Sequence, residues 1–368
     1  MSRETWRVKV GCFKLGEDEK RNLKKQISLG YVNEERFTRR FEELWAEAVG
    51  VSHCIATNSG TSAVWLALKS LQQVEHLPTP LVMTTPLTYS ATINAILVSG
   101  SKVRWVDVSS IALTPPKSSV GISSSDVFVP VHLLGFPSIL RLGKAKFIVE
   151  DCCEAHGTLS EGKHVGSTSK VGVFSFYSGH TLGAGEMGAL VTEDDELAET
   201  ARILKDNGRL ARRMEEPFRF SGLPGMNLKT TEFSAAIACG QIEKRFETYD
   251  KRKRIYDFLY DELSTRCPNL GLIKRAEGTV PMAFPIILSS KASRIRLIRH
   301  LCKKRVETRN IFGLMSQIYN HEPARLYPTC AELARSGIYV GCHQHMTEAD
   351  AKYVVGSIKD FLGAENEQ

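Results

Sequence analysis

Four short stretches of this 368-residue chain pair reactive side chains with glycines that let a ligand come close. The first is Ser59-Gly60-Thr61, ahead of an apolar helix. Free N–H groups at a helix start, together with the Thr61 hydroxyl, make a cradle for a phosphate group. The second, Glu150-Asp151-Cys152-Cys153-Glu154-Ala155-His156-Gly157, follows an apolar strand. A carboxylate there can face the nitrogen of a pyridine ring, keep it protonated and make the ring a better electron sink. The third runs from Phe174 to Gly188 and turns through Ser175, Tyr177, Ser178, Gly179, His180 and Thr181, presenting hydroxyls, backbone and one imidazole. The fourth is Gly225-Met226-Asn227-Leu228-Lys229, before the small-residue helix Ser234–Gln241. Taken one at a time, each has a plainer reading: a helix N-cap, a turn with solvated acids, a structural histidine, a loop before a helix packed through Ala and Gly.

All four fall at strand ends or helix starts, where open α/β sheets bind their ligands. Glu35–Val49 sets Phe37, Phe41, Leu44, Trp45 and Ala48 on one helical stripe, and Gly50 stops it. A short strand, His53–Ala56, and an apolar helix through Leu71 follow. Strand-like runs recur at Leu81–Thr84, Val103–Val106, Phe128–Val131, Phe147–Glu150, Val171–Phe176 and Ala189–Thr192, with helical stretches between several of them. This alternation predicts a parallel-rich sheet covered on both faces by helices. After about Ile242 the pattern changes to a charged amphipathic stretch (Phe246–Leu263), a strand (Ala283–Leu288), a basic helix (Arg294–Lys304) and a final helix (Thr347–Leu362). The expected organisation is a large domain over residues 1–245, including the N-terminal segment, and a smaller C-terminal α+β domain over residues 246–368. Thr114–Ser125, rich in Pro and Ser, reads as a surface loop.

Hydrophobic residues make up 42% and charged residues 24%, so a sizeable core can be buried. No apolar run approaches the roughly 18 residues of a membrane span. Met1–Lys9 is polar and has no signal-peptide core. A soluble, cytoplasmic protein without a membrane partner is expected. The net charge of +7 permits an anionic ligand, but the charges are spread along the chain and no nucleic-acid partner is expected. The nine cysteines show neither CxxC nor CxC spacing, so no metal site is expected.

In this order and spacing, the four stretches resemble the DegT/DnrJ/EryC1/StrS sugar aminotransferase family, pyridoxal phosphate enzymes of fold type I. The resemblance runs from about Gly30 to Lys244, with weaker echoes beyond. It is carried by Phe41–Leu68 (FEELWAEAVGVSHCIATNSGTSAVWLAL), Pro86–Asp107 (PLTYSATINAILVSGSKVRWVD), Val131–Pro137 (VHLLGFP), Glu150–Gly157 and Val173–Thr192. It implies an aspartate aminotransferase-like fold: a large mixed-sheet α/β/α domain plus a smaller C-terminal α+β domain. It also implies pyridoxal 5'-phosphate or pyridoxamine 5'-phosphate as cofactor. Gly60, Thr61 and Ser175 would hold the phosphate and Tyr89 would stack on the ring. Asp151 would pair with the ring nitrogen. Glu154, where the aminotransferases usually have Gln, would lie near the phenolic oxygen. Asn227 would reach the phosphate of the partner subunit, since family members are homodimers with shared active sites.

His180 stands where the family's aminotransferases carry their Schiff-base lysine. An imidazole cannot hold the cofactor covalently, but it moves a proton near neutral pH. A non-covalent cofactor and a dehydration, rather than an amine transfer, are therefore expected. His180, Glu154, Phe218–Asn227 (FRFSGLPGMN) and Gly337–Gln344 (GIYVGCHQ) resemble a branch of nucleotide-sugar 3-dehydratases, of the GDP-4-keto-6-deoxymannose type. That branch implies a nucleotide-linked 4-keto-6-deoxy sugar losing its C3 hydroxyl, with His180 as proton-transfer base and glutamate as amino donor. A related branch holds an iron–sulfur cluster on cysteines that include a CxC pair; with no such pair here, no cluster is expected. Arg309 would contact an anionic group of glutamate or the nucleotide. Asn207 falls at a substrate-contact position where the branch has His, and Met187 interrupts the family's Gly-Glu-Gly-Gly turn. The scaffold also leaves open an atypical sugar or nucleotide aminotransferase, or another lyase. A non-catalytic regulator would leave Asp151, Tyr89 and Ser175 without a chemical purpose.

Overall fold

The computed structural model describes residues 6–108, 125–138, 145–210 and 218–366, so all but the last residue of the expected Thr114–Ser125 loop lies outside it. Helices α1 (Glu17–Leu29) and α2 (Arg36–Val49) come first, then β1 (His53–Thr57), α3 (Gly60–Val74), β2 (Leu81–Thr84), α4 (Ser90–Val98) and β3 (Lys102–Trp105). Strands β4 (Val127–Val129) and β5 (Phe147–Asp151) follow, then a small hairpin of β6 (Leu159–Ser160) and β7 (Lys163–His164). Next come β8 (Val171–Ser175), β9 (Gly188–Thr192) and α5 (Asp195–Lys205). The large sheet has the order β1-β9-β8-β5-β4-β2-β3. The run from β8 to β3 is parallel, while β9 is antiparallel to both of its neighbours. Strand β4 stops at Val129, sooner than the sequence pattern suggests, because Pro130 has no N–H to continue the ladder.

Strand β8 explains how the two faces are filled. Side chains alternate across a strand. Val171 and Val173 point into a core with α3, α4 and α5, whereas Phe174 and Phe176 lie in a second core with α2 and α6 (Glu232–Glu243). In that second core Trp45 of α2 is fully buried, with its ring edge-on to Phe174 and Phe176, both at 5.0 Å, and to His156 at 5.3 Å. The predicted stripe of α2 is thus the surface that braces β8 from below. The helix ends at Gly50, whose φ of 81° only glycine adopts without cost.

The remaining elements are α7 (Arg245–Arg266), β10 (Gly271–Leu272), β11 (Ala283–Ile287), α8 (Lys291–Lys303), β12 (Arg309–Asn310), α9 (Met315–Asn320), α10 (Pro328–Ser336), β13 (Gly337–Gly341) and α11 (Glu348–Asn366). The antiparallel small sheet runs β10-β11-β13-β12 and shares a core with α7, α8 and α11. The N-terminal segment joins this core through Val8 and Val10. Val8 pairs with Val306, and the backbone of Lys9 packs so tightly on Gly341 that a Cβ there would lie 2.2 Å from the Lys9 carbonyl oxygen. No helix among the described residues is long and apolar enough to cross a membrane.

One buried carboxylate ties α6 to α2. Glu232 is fully buried and accepts the N–H groups of Glu35, Phe37 and Thr38 and the Thr38 hydroxyl, at 2.6–2.9 Å. These are the orphan donors at the start of α2, where a negative charge is also favoured by the helix dipole. Glu232→Ala leaves several buried donors unsatisfied and should cost about 3 kcal/mol of stability or more. Thermal unfolding of the two proteins checks this; a fall of less than about 2 °C would refute the clamp.

Candidate functional site

A cavity of about 670 Å³ lies where the C-terminal ends of β5 and β8 and the starts of α3 and α4 meet the N-terminal segment and the small sheet. Gly60, Thr61, Tyr89, Asp151, Glu154, Ser175, His180 and Arg309 all line it, so eight of the ten residues singled out in the sequence converge.

Helix α3 opens the site at one end. Ser59 is extended, with φ −165° and ψ 161°, and its hydroxyl caps the helix by accepting the Ser62 N–H at 3.1 Å. The first-turn N–H groups of Gly60 and Thr61 are the ones an α-helix leaves without internal partners. Gly60 is required by contact: a Cβ there would lie 2.5 Å from the Ser175 Cβ and 3.0 Å from the Cys153 Sγ. Ser175, the last residue of β8, thereby brings its hydroxyl beside the helix start; it accepts the Tyr177 N–H at 3.3 Å.

Asp151 closes the buried end. Its Oδ2 accepts the Thr92 hydroxyl at 2.7 Å and its Oδ1 accepts the Cys153 N–H at 3.2 Å. The carboxylate is therefore fixed in orientation. Glu154 accepts the Leu134 N–H at 2.7 Å. Leu134 presents that group from a left-handed conformation, φ 53°, followed by Gly135 at φ 91°. Burial pushes the Glu154 carboxyl up to about 7; the Leu134 N–H pulls the other way and nearby Asp151 adds to the rise.

His180 sits in the turn after β8. Its Nδ1 lies 2.9 Å from the Ser175 carbonyl oxygen. A carbonyl only accepts, so Nδ1 carries the hydrogen and Nε2 is the bare ring nitrogen. Burial lowers the imidazole below its ordinary range; the Ser175 carbonyl and Asp151 oppose this, and Arg252 adds to it. His180 is thus held as a neutral base. Its ring meets that of Tyr177 edge-on at 5.7 Å. At the mouth, Tyr89 is 60% exposed with its ring 5.7 Å from Phe312. Arg309 reaches Glu307 at 3.4 Å, and Glu307 also accepts the Val10 N–H at 2.9 Å, which fixes the N-terminal segment as a wall of the cavity. That segment contributes Trp6 and Lys9, the one lysine among the described lining residues.

Two residues do not line the cavity. Asn227 is exposed, its carbonyl 3.5 Å from the Asn58 side-chain amide. Asn207 lies in a turn with φ 59°, followed by Gly208 at φ 76°, and its N–H binds the Met226 carbonyl at 3.2 Å. Asn tolerates this left-handed backbone better than most residues, which accounts for its presence without a ligand. Sequence reasoning passed over Thr92, Glu307 and the Trp6–Phe13 wall. Thr92 was findable, three residues after Tyr89 at the start of α4. The Val10–Glu307 contact, across 297 positions, left no local signal. Buried His132, Glu150 and Cys152 lie close enough to resemble a metal site. Both nitrogens of His132 are already used, by the Ser138 N–H at 2.8 Å and the Glu150 carboxylate at 2.9 Å.

The chain is similar to GDP-perosamine synthase of Escherichia coli O157:H7, at 27% identity over 88% of this chain and 90% of that protein. It is also similar to dTDP-4-dehydro-2,6-dideoxy-D-glucose 3-dehydratase of Saccharopolyspora spinosa, at 29% identity over 88% of this chain and 80% of that protein. Among solved structures, Escherichia coli GDP-4-keto-6-deoxy-D-mannose-3-dehydratase with bound hydrated PLP superposes with a TM-score of 0.88 at 19% identity, covering 96% of this chain and 100% of that one. The shared architecture is pyridoxal phosphate fold type I. Sequence agreement with one family extends over residues 14–359, nearly the whole length that builds both sheets and the cavity between them, and on that match the chain belongs to the DegT/DnrJ/EryC1/StrS aminotransferase family.

Proposed function

We propose that this protein is a nucleotide-sugar dehydratase that uses pyridoxal phosphate in its pyridoxamine form to remove the C3 hydroxyl of a 4-keto-6-deoxy sugar. The observation that carries the reading is His180: a neutral imidazole with a bare Nε2 stands in the turn after β8, inside an otherwise complete cavity. The residues fit the cofactor. Gly60 lets the start of α3 close on Ser175, so that the Ser175 hydroxyl lies beside the free N–H groups of α3, where a phosphate is favoured. At the other end, the pinned Asp151 carboxylate lines the cavity, where it would suit a protonated ring nitrogen.

When bound, the pyridoxamine form supplies the amine that joins the sugar ketone and the ring that takes up electrons as the C3 oxygen leaves. The protein does the rest. Gly60, Thr61 and Ser175 hold the phosphate, Tyr89 covers the ring and Asp151 keeps its nitrogen protonated. Glu154, holding its proton up to about pH 7, donates to the phenolic oxygen. His180 takes up and gives back a proton at Nε2, the role of a general base. Arg309 takes an anionic group of glutamate, the amino donor, or of the nucleotide. Exposed Asn227 serves the site of a partner subunit in a homodimer, and residues 246–368 form the smaller of two domains. The similarity to a named 3-dehydratase supports this reading.

A second reading, an atypical sugar aminotransferase, is favoured by two observations. One is the similarity to GDP-perosamine synthase. The other is Lys9, which brings an amine to the cavity from outside the turn after β8.

Borohydride reduction of the protein loaded with pyridoxal phosphate separates the two. The dehydratase reading expects no pyridoxyl group fixed to the chain; peptide mass spectrometry finding it on Lys9 would install the aminotransferase reading instead. His180→Asn should retain the cofactor and lose at least about 100-fold in dehydration of a GDP- or dTDP-linked 4-keto-6-deoxy sugar. Unchanged turnover would remove His180 from the chemistry. Glu154 makes a pH prediction. In the unfolded chain its carboxyl ionises near 4.5 and in the fold near about 7, so ionising it subtracts stability as pH rises through that window. Glu154→Gln has no charge to bury. Its melting temperature, relative to the parent in cofactor-free protein, should rise between those pH values, and parallel curves would contradict the shift.

A further inference from the structure

Arg252 of α7 is 1% exposed, yet no carboxylate among the described residues pairs with it. Its partners are neutral acceptors. Nη1 donates to the Met282 carbonyl at 2.8 Å and more distantly to that of Pro281 at 3.5 Å. Nε donates to the Gln344 side-chain oxygen at 3.1 Å, and Nη2 lies 3.5 Å from the carbonyl oxygen of His180. A buried cation without a counter-charge is costly, and an apolar side chain of similar length would pack the same space more cheaply. A fork of fixed N–H groups has one advantage over such a chain: it can hold carbonyls from separate segments in one arrangement. The segments joined here are the turn after β8, the approach to β11, and the loop after β13.

Three contacts hold His180, the first being its own N–H donated to the Tyr177 carbonyl at 2.9 Å. The Ser175 carbonyl takes its ring Nδ1–H, and Arg252 reaches its backbone carbonyl. We propose that Arg252 is a positioning residue for His180: it fastens the turn that carries the imidazole to α7 and the small sheet, so that the bare Nε2 keeps one place relative to Asp151 and Ser175. The functional consequence rests on His180 being the proton carrier proposed above; the positioning itself does not. Charge acts in the same direction. The groups that bear on the imidazole are Asp151 of β5, the Ser175 carbonyl of β8, Arg252 of α7, and neighbouring His156 and Tyr177. Arg252 opposes a second positive charge there, and also on His156, His343 and His345.

The test compares full-length Arg252→Met, Arg252→Lys and Gln344→Leu with the parent in two measurements. The first is the rate at which diethyl pyrocarbonate acylates His180 in cofactor-free protein, as a function of pH, read by peptide mass spectrometry. It reports the bare nitrogen whether or not His180 carries protons in turnover. Arg252→Met should move the midpoint upward, and Arg252→Lys, which keeps the charge, should restore it. The second is solvent exchange of the C4' hydrogen of saturating pyridoxamine phosphate. Arg252→Met should slow it by about 100-fold, and Gln344→Leu, which frees the guanidinium to tilt, by about 10-fold. A folded Arg252→Met with the parent's midpoint and exchange rate overturns the proposal, as does loss of cofactor affinity alone with both readouts unmoved. If Arg252→Met does not fold, parental exchange rates in both Arg252→Lys, which lacks the fork of N–H groups, and Gln344→Leu overturn it equally. Parental exchange in His180→Asn would count against the proton-carrier reading, while the acylation midpoint still decides the positioning.

Discussion

The site depends on how closely helix α3 approaches strands β8 and β9. Two glycines make the approach possible. A Cβ on Gly60 would collide with Ser175 at the end of β8, and a Cβ on Gly188 would lie 2.4 Å from the backbone of Ser59. With both absent, the first turn of α3, the Ser175 hydroxyl and the side of Cys153 share one small volume. Displacing the helix by the width of a methyl group would separate the N–H groups from the hydroxyl. It would also disturb β8, whose alternate residues are committed to two different cores. The packing of Trp45 beneath Phe174 and Phe176 opposes such a shift from the other face of the sheet.

On this frame the cavity sets neighbouring ionisable groups in different environments. Asp151 gains two hydrogen bonds to its carboxylate. Glu154, close by, has one, and burial keeps its proton on to about neutral pH. His180 is disfavoured as a cation by burial and by Arg252. A carboxylate held by two hydrogen bonds, a carboxyl that burial pushes up to about 7 and an imidazole that burial pushes down thus stand around one space.

The parts of the site that were legible in the sequence are the ones made within a few residues of chain. Ser59-Gly60-Thr61 and Phe174–His180 each join a strand or helix end to the loop it points at, so periodicity and glycine position locate them. Strand assignments held for the same reason: residues 171–175 alternate between two apolar faces, and the pattern is in the residues themselves. What was not legible depends on chain crossings. Val10 and Glu307 meet because the N-terminal segment runs along the small sheet. Arg252 reads in sequence as one more cation in a charged stretch, yet it is buried among carbonyls. Asn207 drew notice as a departure at a ligand position, although its backbone turn is reason enough for it.

The wall built from Trp6 to Phe13 has a consequence in time. These residues are made before Arg305, Glu307 and Gly341, which hold them; Val10 precedes Glu307 by 297 residues. At about 5–20 residues per second, that is roughly 15–60 s of synthesis during which the cavity has no such wall. The large sheet, whose strands are all complete by Thr192, can assemble within that interval, and with it the end of the cavity formed by Gly60 and Ser175. The enclosure of the cavity is therefore a late event of biogenesis, and a chain cut short before β13 would keep the Gly60–Ser175 end of the cavity but leave it open to water.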